Sequence, residues 1–255
     1  MLGSYSVANT SSVHPGVAFG RRHSSSNSAC SSWCSARGLV ARRRASSSWR
    51  SPADVSELSG PLPCVSATES SDVSSMSITA DSSRVVYLAD QETIGVSELF
   101  SVPIGGPPSA GVKLNGELAP GAEVRALGGY RISPDGSWVV YRAGPYAEEK
   151  LHSVPVSGPA NSGAELSDDL PPVGYDSDFA VVPGSQSVVS LARQDAADGV
   201  ELCSVPISGY TAADVLVLNG TLVEGGDVMD FQLASDGSFA IYRADEDADE
   251  VLGES

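Results

Sequence analysis

Residues 132–141 read Ile-Ser-Pro-Asp-Gly-Ser-Trp-Val-Val-Tyr. Proline presets φ at the second position of a turn, aspartate suits the third and glycine takes the last, so residues 133–136 predict a tight turn. The residues that follow are β-branched or aromatic, which favours a strand. This stretch therefore predicts a turn that leads directly into a buried strand.

The same turn and strand recur along the chain, with relatives that begin at Ile78, Val181 and Leu233. Two further markers recur in the same order. One is a leucine that opens segments such as Leu-Asn-Gly-Glu-Leu every 52 residues, and the other is Ser-Val-Pro at nearly the same period. Their positions are Leu114, Leu166 and Leu218 for the first, and Ser101, Ser153 and Ser204 for the second. Such periods indicate an array of one unit that cannot bury its apolar face alone.

One unit contains four short predicted strands. In the second repeat they lie at 130–133, 137–143, 150–156 and 164–167, and no stretch of the chain has a convincing helical period. The apolar runs 85–88 and 138–141 are continuous, which is typical of strands covered on both faces. We therefore predict an all-β fold of β-propeller blades, each with four antiparallel strands. A β-sandwich or a solenoid is the alternative.

Pro103, Pro155 and Pro206 are expected at the points where each third strand leaves its ladder of hydrogen bonds, because proline has no N–H to donate.

At these residues the repeats resemble the TolB-like propeller family, which is related to WD-type blades. The shared pattern is Ser-Pro-Asp-Gly at 133–136, the strand ending in Tyr141, and Glu-Leu before a valine-rich strand at 98–103 and 201–206. The first, third and fourth repeats depart from the turn motif at 79–82, 182–185 and 234–237. The resemblance covers about residues 53–255. The resemblance implies a β-propeller fold and an extracytoplasmic location, and it carries no catalytic residues.

The repeat pattern predicts three whole blades and two partial ones in an open or incomplete propeller. The expected units are a partial blade at 53–73, blades at 74–126, 127–178 and 179–227, and a partial blade at 228–255. Residues 53–60 align with 213–220 as a last strand, so the first three strands of that blade are expected to be missing. We expect a window from a longer array, marginal or aggregation-prone alone, with self-association through its open blades.

The head, residues 1–52, differs sharply from the repeats in composition. Residues 1–53 contain no Asp or Glu and seven of the 15 Lys and Arg residues, whereas residues 54–255 carry 8 basic and all 32 acidic residues, a net charge of −24. We expect a disordered Ser/Arg-rich head. Its composition also resembles an organelle transit peptide, and a translated non-native frame is a further interpretation. No apolar run is long enough for a signal-peptide core or a membrane helix, so the localisation stays open.

Residues with catalytic or metal-binding chemistry are sparse, and we predict no catalytic, cofactor-binding or metal site. The cysteines Cys30, Cys34, Cys64 and Cys203 and the histidines His14, His23 and His152 form no zinc pattern. No hydrolase nucleophile elbow, Walker loop or dinucleotide fingerprint occurs. Asp245-Glu246-Asp247-Ala248-Asp249 resembles a calcium loop, but Glu250 stands where the loop needs glycine. We therefore interpret it, like the acids at 90–92, 148–149, 168–169 and 195–198, as a solvated acidic loop.

These observations favour a non-enzymatic propeller module that binds a protein, peptide or glycan. The alternative is the accessory propeller of a larger hydrolase, such as a prolyl-oligopeptidase-like enzyme whose catalytic domain is absent, and a remnant without function is a third interpretation. A negative field repels phosphates, so nucleic acid is not an expected partner.

Overall fold

The computed structural model describes residues 17–21, 37–42, 44–45, 48–49, 55–63, 71–126, 128–145, 148–166, 179–184, 186–192 and 199–246. Within these ranges the chain consists of antiparallel strands and three single-turn 3₁₀ helices. No helix in the described part is long and apolar enough to cross a membrane. The prediction of an all-β fold built from four-stranded propeller blades is confirmed.

The first strands form a three-stranded sheet, which we call the N-terminal sheet, in the order β1-β2-β5. Between β2 and β5 lies a separate two-stranded ribbon of β3 and β4. The strands are β1 (Val17–Arg21), β2 (Arg37–Arg42), β3 (Arg44–Ala45), β4 (Ser48–Trp49) and β5 (Val55–Glu57).

Three blades follow, and each runs in sequence order from its first to its fourth strand. Blade 1 contains β6 (Val73–Ile78), β7 (Arg84–Ala89), β8 (Glu98–Pro103) and β9 (Val112–Lys113). Blade 2 contains β10 (Ala122–Val124), β11 (Tyr130–Ile132), β12 (Trp138–Pro145), β13 (Lys150–Pro155) and β14 (Ala164–Glu165). Blade 3 contains β15 (Phe179–Val181), β16 (Ser187–Ala192), β17 (Glu201–Pro206) and β18 (Leu216–Val217). The three 3₁₀ helices precede the fourth strands, at Pro108–Ala110, Ala160–Ser162 and Ala212–Asp214.

The last described strands form a two-stranded sheet that we call the half-blade. It contains β19 (Val228–Leu233) and β20 (Ala240–Ala244), which take the first and second places of a blade. Neither strand pairs with a strand of the N-terminal sheet within the described residues. Within the described residues, the array is therefore open at the half-blade.

Consecutive sheets stack face to face, and each interface has its own apolar core. Leu39 and Leu58 of the N-terminal sheet pack with Val85 and Phe100 of blade 1. The other three cores are formed by residues that come from both of the sheets they join. Between blades 1 and 2 they include Val86, Leu99, Val139 and Tyr141; between blades 2 and 3, Val140, Leu151, Phe179 and Val188; between blade 3 and the half-blade, Val189, Leu202, Val228 and Phe231.

In blades 1 and 3, the repeated leucine and its asparagine neighbour fasten the fourth strand to the third. Leu114 N–H donates to the Leu99 carbonyl oxygen at 2.7 Å, and Leu99 N–H donates to Asn115 Oδ1 at 2.7 Å. Leu218, Leu202 and Asn219 repeat this arrangement at 2.8 and 2.8 Å. The sequence marker is thus a strand-end clamp, which explains why it recurs with the blade.

The structure differs from the expected disordered head at β2, which lies between residues 1 and 52. Leu58 N–H donates to the Leu39 carbonyl oxygen at 2.8 Å, and Leu39 N–H donates to Ser59 Oγ at 3.0 Å, which is the same clamp. Leu39 is fully buried. The expectation that the first three strands of this blade are missing is therefore wrong for the third strand, which the short apolar run 39–41 supplies despite its arginine-rich surroundings, and β1 pairs with it in the place of the second.

A second difference concerns the boundary expected between residues 126 and 127. Ala122–Val124, assigned from the sequence to the first whole blade, pairs with Ala143–Pro145 of blade 2. The reason is the length of β12, which runs eight residues and extends beyond β11. The first strand of blade 2 is thereby split in two. The remaining expected domain boundaries stay predictions.

The prolines of the Ser-Val-Pro marker are the last residues of their strands. Pro103, Pro155 and Pro206 end the third strands β8, β13 and β17. Proline cannot donate to a ladder, so its place at the strand end agrees with the interpretation from the sequence.

The turn at 133–136 has the predicted form, with a Gly136 N–H to Ser133 carbonyl bond of 2.8 Å and a Gly136 φ of +75°. We expect Gly136→Val to lower stability by about 1 kcal/mol or more, because a β-branched residue is strained at positive φ. At the equivalent position of blade 1, Ser82 has φ +58° without being glycine. Ser82→Gly should therefore leave the free energy of unfolding unchanged or raise it. Urea titrations of the two variants measure both effects, and equal changes in the free energy of unfolding would contradict the proposed strain at Gly136.

The Asp135 carboxylate accepts several hydrogen bonds within the turn and should make stability pH-dependent. Its hydrogen bonds from the Ser133 and Ser137 hydroxyls and the Ser137 N–H lower its pKa from the usual 3.8 to about 2. The folded state thus favours the ionised form, so the stabilisation is present above about pH 4 and lost as pH falls towards 2. In urea midpoints measured from pH 5 to 2, Asp135→Asn should flatten this loss. A pH profile of Asp135→Asn equal to that of the unsubstituted protein would show that these hydrogen bonds to Asp135 are not formed.

Candidate interaction site on the half-blade

The outward face of the half-blade is exposed where every other blade is covered. Antiparallel register places Val86, Val140, Val189 and Ile241 at the same position of the second strand. The three valines are 0%, 0% and 3% exposed, because the following sheet packs on them, whereas Ile241 is 73% exposed. Its neighbour on that face, Phe239, is 71% exposed. Large apolar side chains that lie open together usually mark an interaction surface.

The outer edge of β20 is also open. In blade 2, Val139, Tyr141 and Ala143 pair with residues of the third strand across this edge. Their counterparts are Ala240, Tyr242 and Ala244, whose N–H and C=O groups point to the same side by strand alternation. In the part of the chain that the structure describes, no strand pairs with them there. An edge of this kind can accept an added strand.

Beside this edge lies a groove of about 700 Å³ between blade 3 and the half-blade. Its lining comes from the end of blade 3 and from the loop that leads into β19: Gly199, Glu201, Val217, Asn219, Gly220, Thr221, Leu222, Val223, Glu224, Gly225 and Gly226. The corresponding cleft between blades 1 and 2 is only about 170 Å³. There the third and fourth strands of blade 2 supply a wall, through His152, Ala164 and Glu165. The half-blade contributes no such wall among the described residues, which accounts for the wider groove.

The groove is acidic. Two glutamates line it, Glu201 and Glu224, and none of its lining residues is Lys or Arg. Glu246 accepts hydrogen bonds from Gly220 N–H and from the Tyr242 hydroxyl, both at 2.8 Å. The hydrogen bond to Glu246 raises the pKa of the Tyr242 hydroxyl.

The open face holds one ion pair. Arg243 Nε donates to Asp230 Oδ1 at 2.8 Å, and this contact lowers the pKa of Asp230. Because both groups are solvent-exposed, the pair contributes little stability. It neutralises the only arginine on β20 and leaves the acidic groove without a nearby cation from this strand.

In the cleft between blades 1 and 2, the structure does not bring the His152 imidazole and the Ser153 hydroxyl together. His152 stacks on Tyr141 with ring centroids 5.3 Å apart, and burial lowers the pKa of His152 and raises that of Tyr141 to about 12. The adjacent Ser153 is buried on the opposite side of the strand, where its Oγ donates to the Ile207 carbonyl oxygen. The His152 imidazole and the Ser153 hydroxyl therefore lie on opposite faces of the strand.

The other residues considered from the sequence have structural roles or lie outside the described residues. Cys203 is buried in β17, as a small core residue would be. Asp90 of the first acidic loop accepts bonds from the N–H groups of Asp72 and Gly95 at 2.6 and 2.9 Å. No cluster of three metal ligands occurs among the described residues. Those that cannot be placed are Cys30, Cys34, Cys64, His14, His23, Asp168, Asp169, Asp195, Asp198, Asp247 and Asp249.

Sequence reasoning did not single out Phe239, Ile241 or the groove. A signal was available, because Ile241 aligns with Val86, Val140 and Val189, all of which need a following blade to cover them. The repeat predicted an uncovered end, but individual residues could be assigned to the open face only once the strand register was known.

Comparisons with known proteins give remote structural similarity alone. No protein-family model matches the chain, and no curated protein matches it. Two solved structures are similar over 82% of this chain. One is from a study of two prolyl endopeptidases (13% identity, TM-score 0.47, 30% of that chain covered), and the other is oligopeptidase B from Trypanosoma brucei (15%, 0.46, 26% of that chain). TolB from Acinetobacter baumannii is similar over 67% of this chain and 38% of its own (13%, 0.36). This chain thus spans less than two fifths of each.

Proposed function

We propose that this chain is a non-enzymatic β-propeller module that binds a protein segment at its half-blade. One observation carries the proposal: Ile241 and Phe239 are exposed at positions whose counterparts are buried or half-buried in every complete blade. Burying such side chains against a partner contributes roughly 1.5–3 kcal/mol each. The open edge of β20 adds backbone hydrogen bonds to an extended segment, which is the mode of binding known as β-strand addition.

The test uses a peptide that copies the third strand of blade 1, which fills the equivalent place there. A neutral probe is the sequence of residues 97–104 with glutamine for Glu98, capped at both ends and labelled for fluorescence anisotropy. We expect saturable binding, and we expect Ile241→Lys to weaken it at least about tenfold. Leu216→Lys is the matched control, since Leu216 is 61% exposed on β18 and does not line the groove.

Three results would contradict the proposal: no binding, equal binding of a scrambled peptide, or equal loss from both lysine variants. The alternative, an accessory propeller of a larger hydrolase, stays a prediction from the sequence. The gene around this segment discriminates between the two, because a neighbouring hydrolase domain would favour the alternative, whereas further repeats alone would favour a module of the proposed kind.

A further inference from the structure

We infer that Asn219 is a site of spontaneous deamidation, in which the main-chain nitrogen of Gly220 attacks the Asn219 side chain and the Glu246 carboxylate acts as general base. Asparagine followed by glycine is the sequence most prone to this reaction, because glycine has no side chain to hinder its nitrogen. The chain contains two such sequences, Asn115-Gly116 and Asn219-Gly220. Their surroundings differ, and the difference favours the second.

Both asparagines belong to the strand-end clamp, so their side-chain amides make the same hydrogen bonds. Asn219 Oδ1 accepts from Leu202 N–H at 2.8 Å, and its Nδ2 donates to the Gly220 carbonyl oxygen at 2.9 Å. Asn115 makes the equivalent two bonds at 2.7 and 3.0 Å. The N–H that donates to each Oδ1 polarises the carbonyl under attack and stabilises the negative charge that develops on its oxygen. The two amides are therefore activated in the same way.

The two sites differ in the group that accepts the glycine N–H. Gly220 N–H donates to Glu246 Oε1 at 2.8 Å, which is within reach of a general base. Gly116 N–H donates instead to the Tyr141 hydroxyl oxygen, and burial raises the pKa of this hydroxyl to about 12. A neutral hydroxyl is a much weaker base than a carboxylate. The proton of the attacking nitrogen is therefore withdrawn more readily at Gly220.

The reaction is balanced within these groups and water. The Gly220 nitrogen gives its proton to Glu246 and forms a bond to Asn219 Cγ. The Cγ–Nδ2 bond then breaks, and Nδ2 takes up this proton and leaves as ammonia. Water opens the resulting cyclic imide at either carbonyl, which gives aspartate or isoaspartate. Water reaches Asn219 more easily than Asn115, because Asn219 is half-buried whereas Asn115 is only 1% exposed.

The isoaspartate product would break the clamp that holds β18. It lengthens the main chain by one carbon atom and moves the side-chain oxygen away from Leu202 N–H, whereas aspartate keeps an acceptor there. We expect the Leu202 amide to exchange with solvent at least about tenfold faster in the purified isoaspartate form than in the unmodified protein. Unchanged exchange would overturn this effect of the modification.

Peptide mapping by mass spectrometry measures deamidation at both sites while the whole protein is incubated at neutral pH. We expect Asn219 to react at least about tenfold faster than Asn115 in the folded protein. Equal rates at the two sites would overturn the inference.

Glu246→Gln removes the base and keeps its hydrogen bonds. Gln91 holds the equivalent place in blade 1, where its Oε1 accepts from Gly60 N–H and from the Tyr87 hydroxyl, both at 3.1 Å. We expect Glu246→Gln to slow the reaction at Asn219 at least about fivefold and to leave Asn115 unchanged. An unchanged rate at Asn219 in the folded variant would overturn the role of Glu246.

The same residues can be transferred to the N-terminal sheet, which decides the question if Glu246→Gln does not fold. Ser59 is the clamp residue there and precedes Gly60. Ser59→Asn introduces an amide next to a glycine whose N–H donates to the neutral Gln91. Adding Gln91→Glu should accelerate deamidation at position 59 at least about fivefold. No acceleration would overturn the inference.

The unfolded chain separates the effect of the fold from that of the local sequence. In concentrated urea neither glycine N–H has a fixed acceptor, so Asn115 and Asn219 should react within about threefold of each other, and Glu246→Gln should change neither rate. A preference for Asn219 that persists in urea would show that the local sequence causes it, and the inference would be overturned.

Discussion

Val140→Lys is expected to lower the free energy of unfolding by at least about 4 kcal/mol, and Ile241→Lys by less than about 0.5 kcal/mol. The two residues hold the same strand position in successive repeats, but Val140 is fully buried between blades 2 and 3, whereas Ile241 is 73% exposed. A lysine at 140 must either bury an unpaired ammonium group or open the interface between the blades. At 241 its charge stays in water.

Urea titrations of the purified variants, followed by tryptophan fluorescence and far-UV circular dichroism, measure both values. If Val140→Lys does not fold, Val140→Ala replaces it, with an expected cost of about 1–3 kcal/mol against none for Ile241→Ala. Equal costs at the two positions would contradict the stacking order of the sheets.

Glu149→Gln should cost about 3 kcal/mol or more, because Glu149 is the shared acceptor of two arginines. Its Oε2 lies 3.2 Å from Arg125 Nη1 and 3.1 Å from Arg142 Nη2. The side chains of Arg142 and Glu149 are only 4% and 9% exposed, so the charges cannot be rehydrated without disrupting blade 2. Removing the carboxylate charge leaves two like charges close together in a poorly hydrated site.

A surface pair provides the matched control. Lys150 and Glu165 lie 2.6 Å apart with side chains 43% and 41% exposed, so Glu165→Gln should cost less than about 1 kcal/mol. Leu88 and Leu191 hold the position of Arg142 in blades 1 and 3. Arg142→Leu combined with Glu149→Gln should therefore recover much of the loss in the same urea titration. A double variant as unstable as Glu149→Gln alone would show that the arginine is not the source of the cost.

Much of the fold could be predicted because one local signal repeats. A turn such as 133–136 needs only proline, aspartate and glycine in order, and these act through backbone conformation within a few residues. The continuous run Trp138–Tyr141 then indicates burial on both faces. Local rules of this kind locate strands well, and periodicity relates them to one another.

The head could not be predicted by composition alone. Arginine and serine dominate residues 1–52 and favour disorder on average, yet β2 needs only the short run Leu39–Ala41 to fit against Leu58 and blade 1. Similarly, the split first strand of blade 2 depends on pairing between Val124 and Ala143. Such long-range register leaves little trace in one sequence.

The interaction site was beyond sequence reasoning for a related reason. Ile241 looks like an ordinary core residue of the repeat, because the pattern specifies which positions a neighbouring blade should cover. Whether a neighbour is present depends on how the sheets are stacked in three dimensions. An open end was expected in the partial blade at 228–255, but the residues that form its exposed face, its edge and its groove emerged only from the structure.

Amide hydrogen exchange of β20 against β12 tests most directly whether the last blade is open. Tyr141 and Tyr242 hold equivalent positions, but only β12 has a third strand paired with it among the described residues. We predict that the Tyr242 amide exchanges at least about a hundredfold faster than the Tyr141 amide in the free protein, and that the neutral peptide of residues 97–104 slows this exchange. Protection of Tyr242 equal to that of Tyr141 without peptide would contradict an open edge.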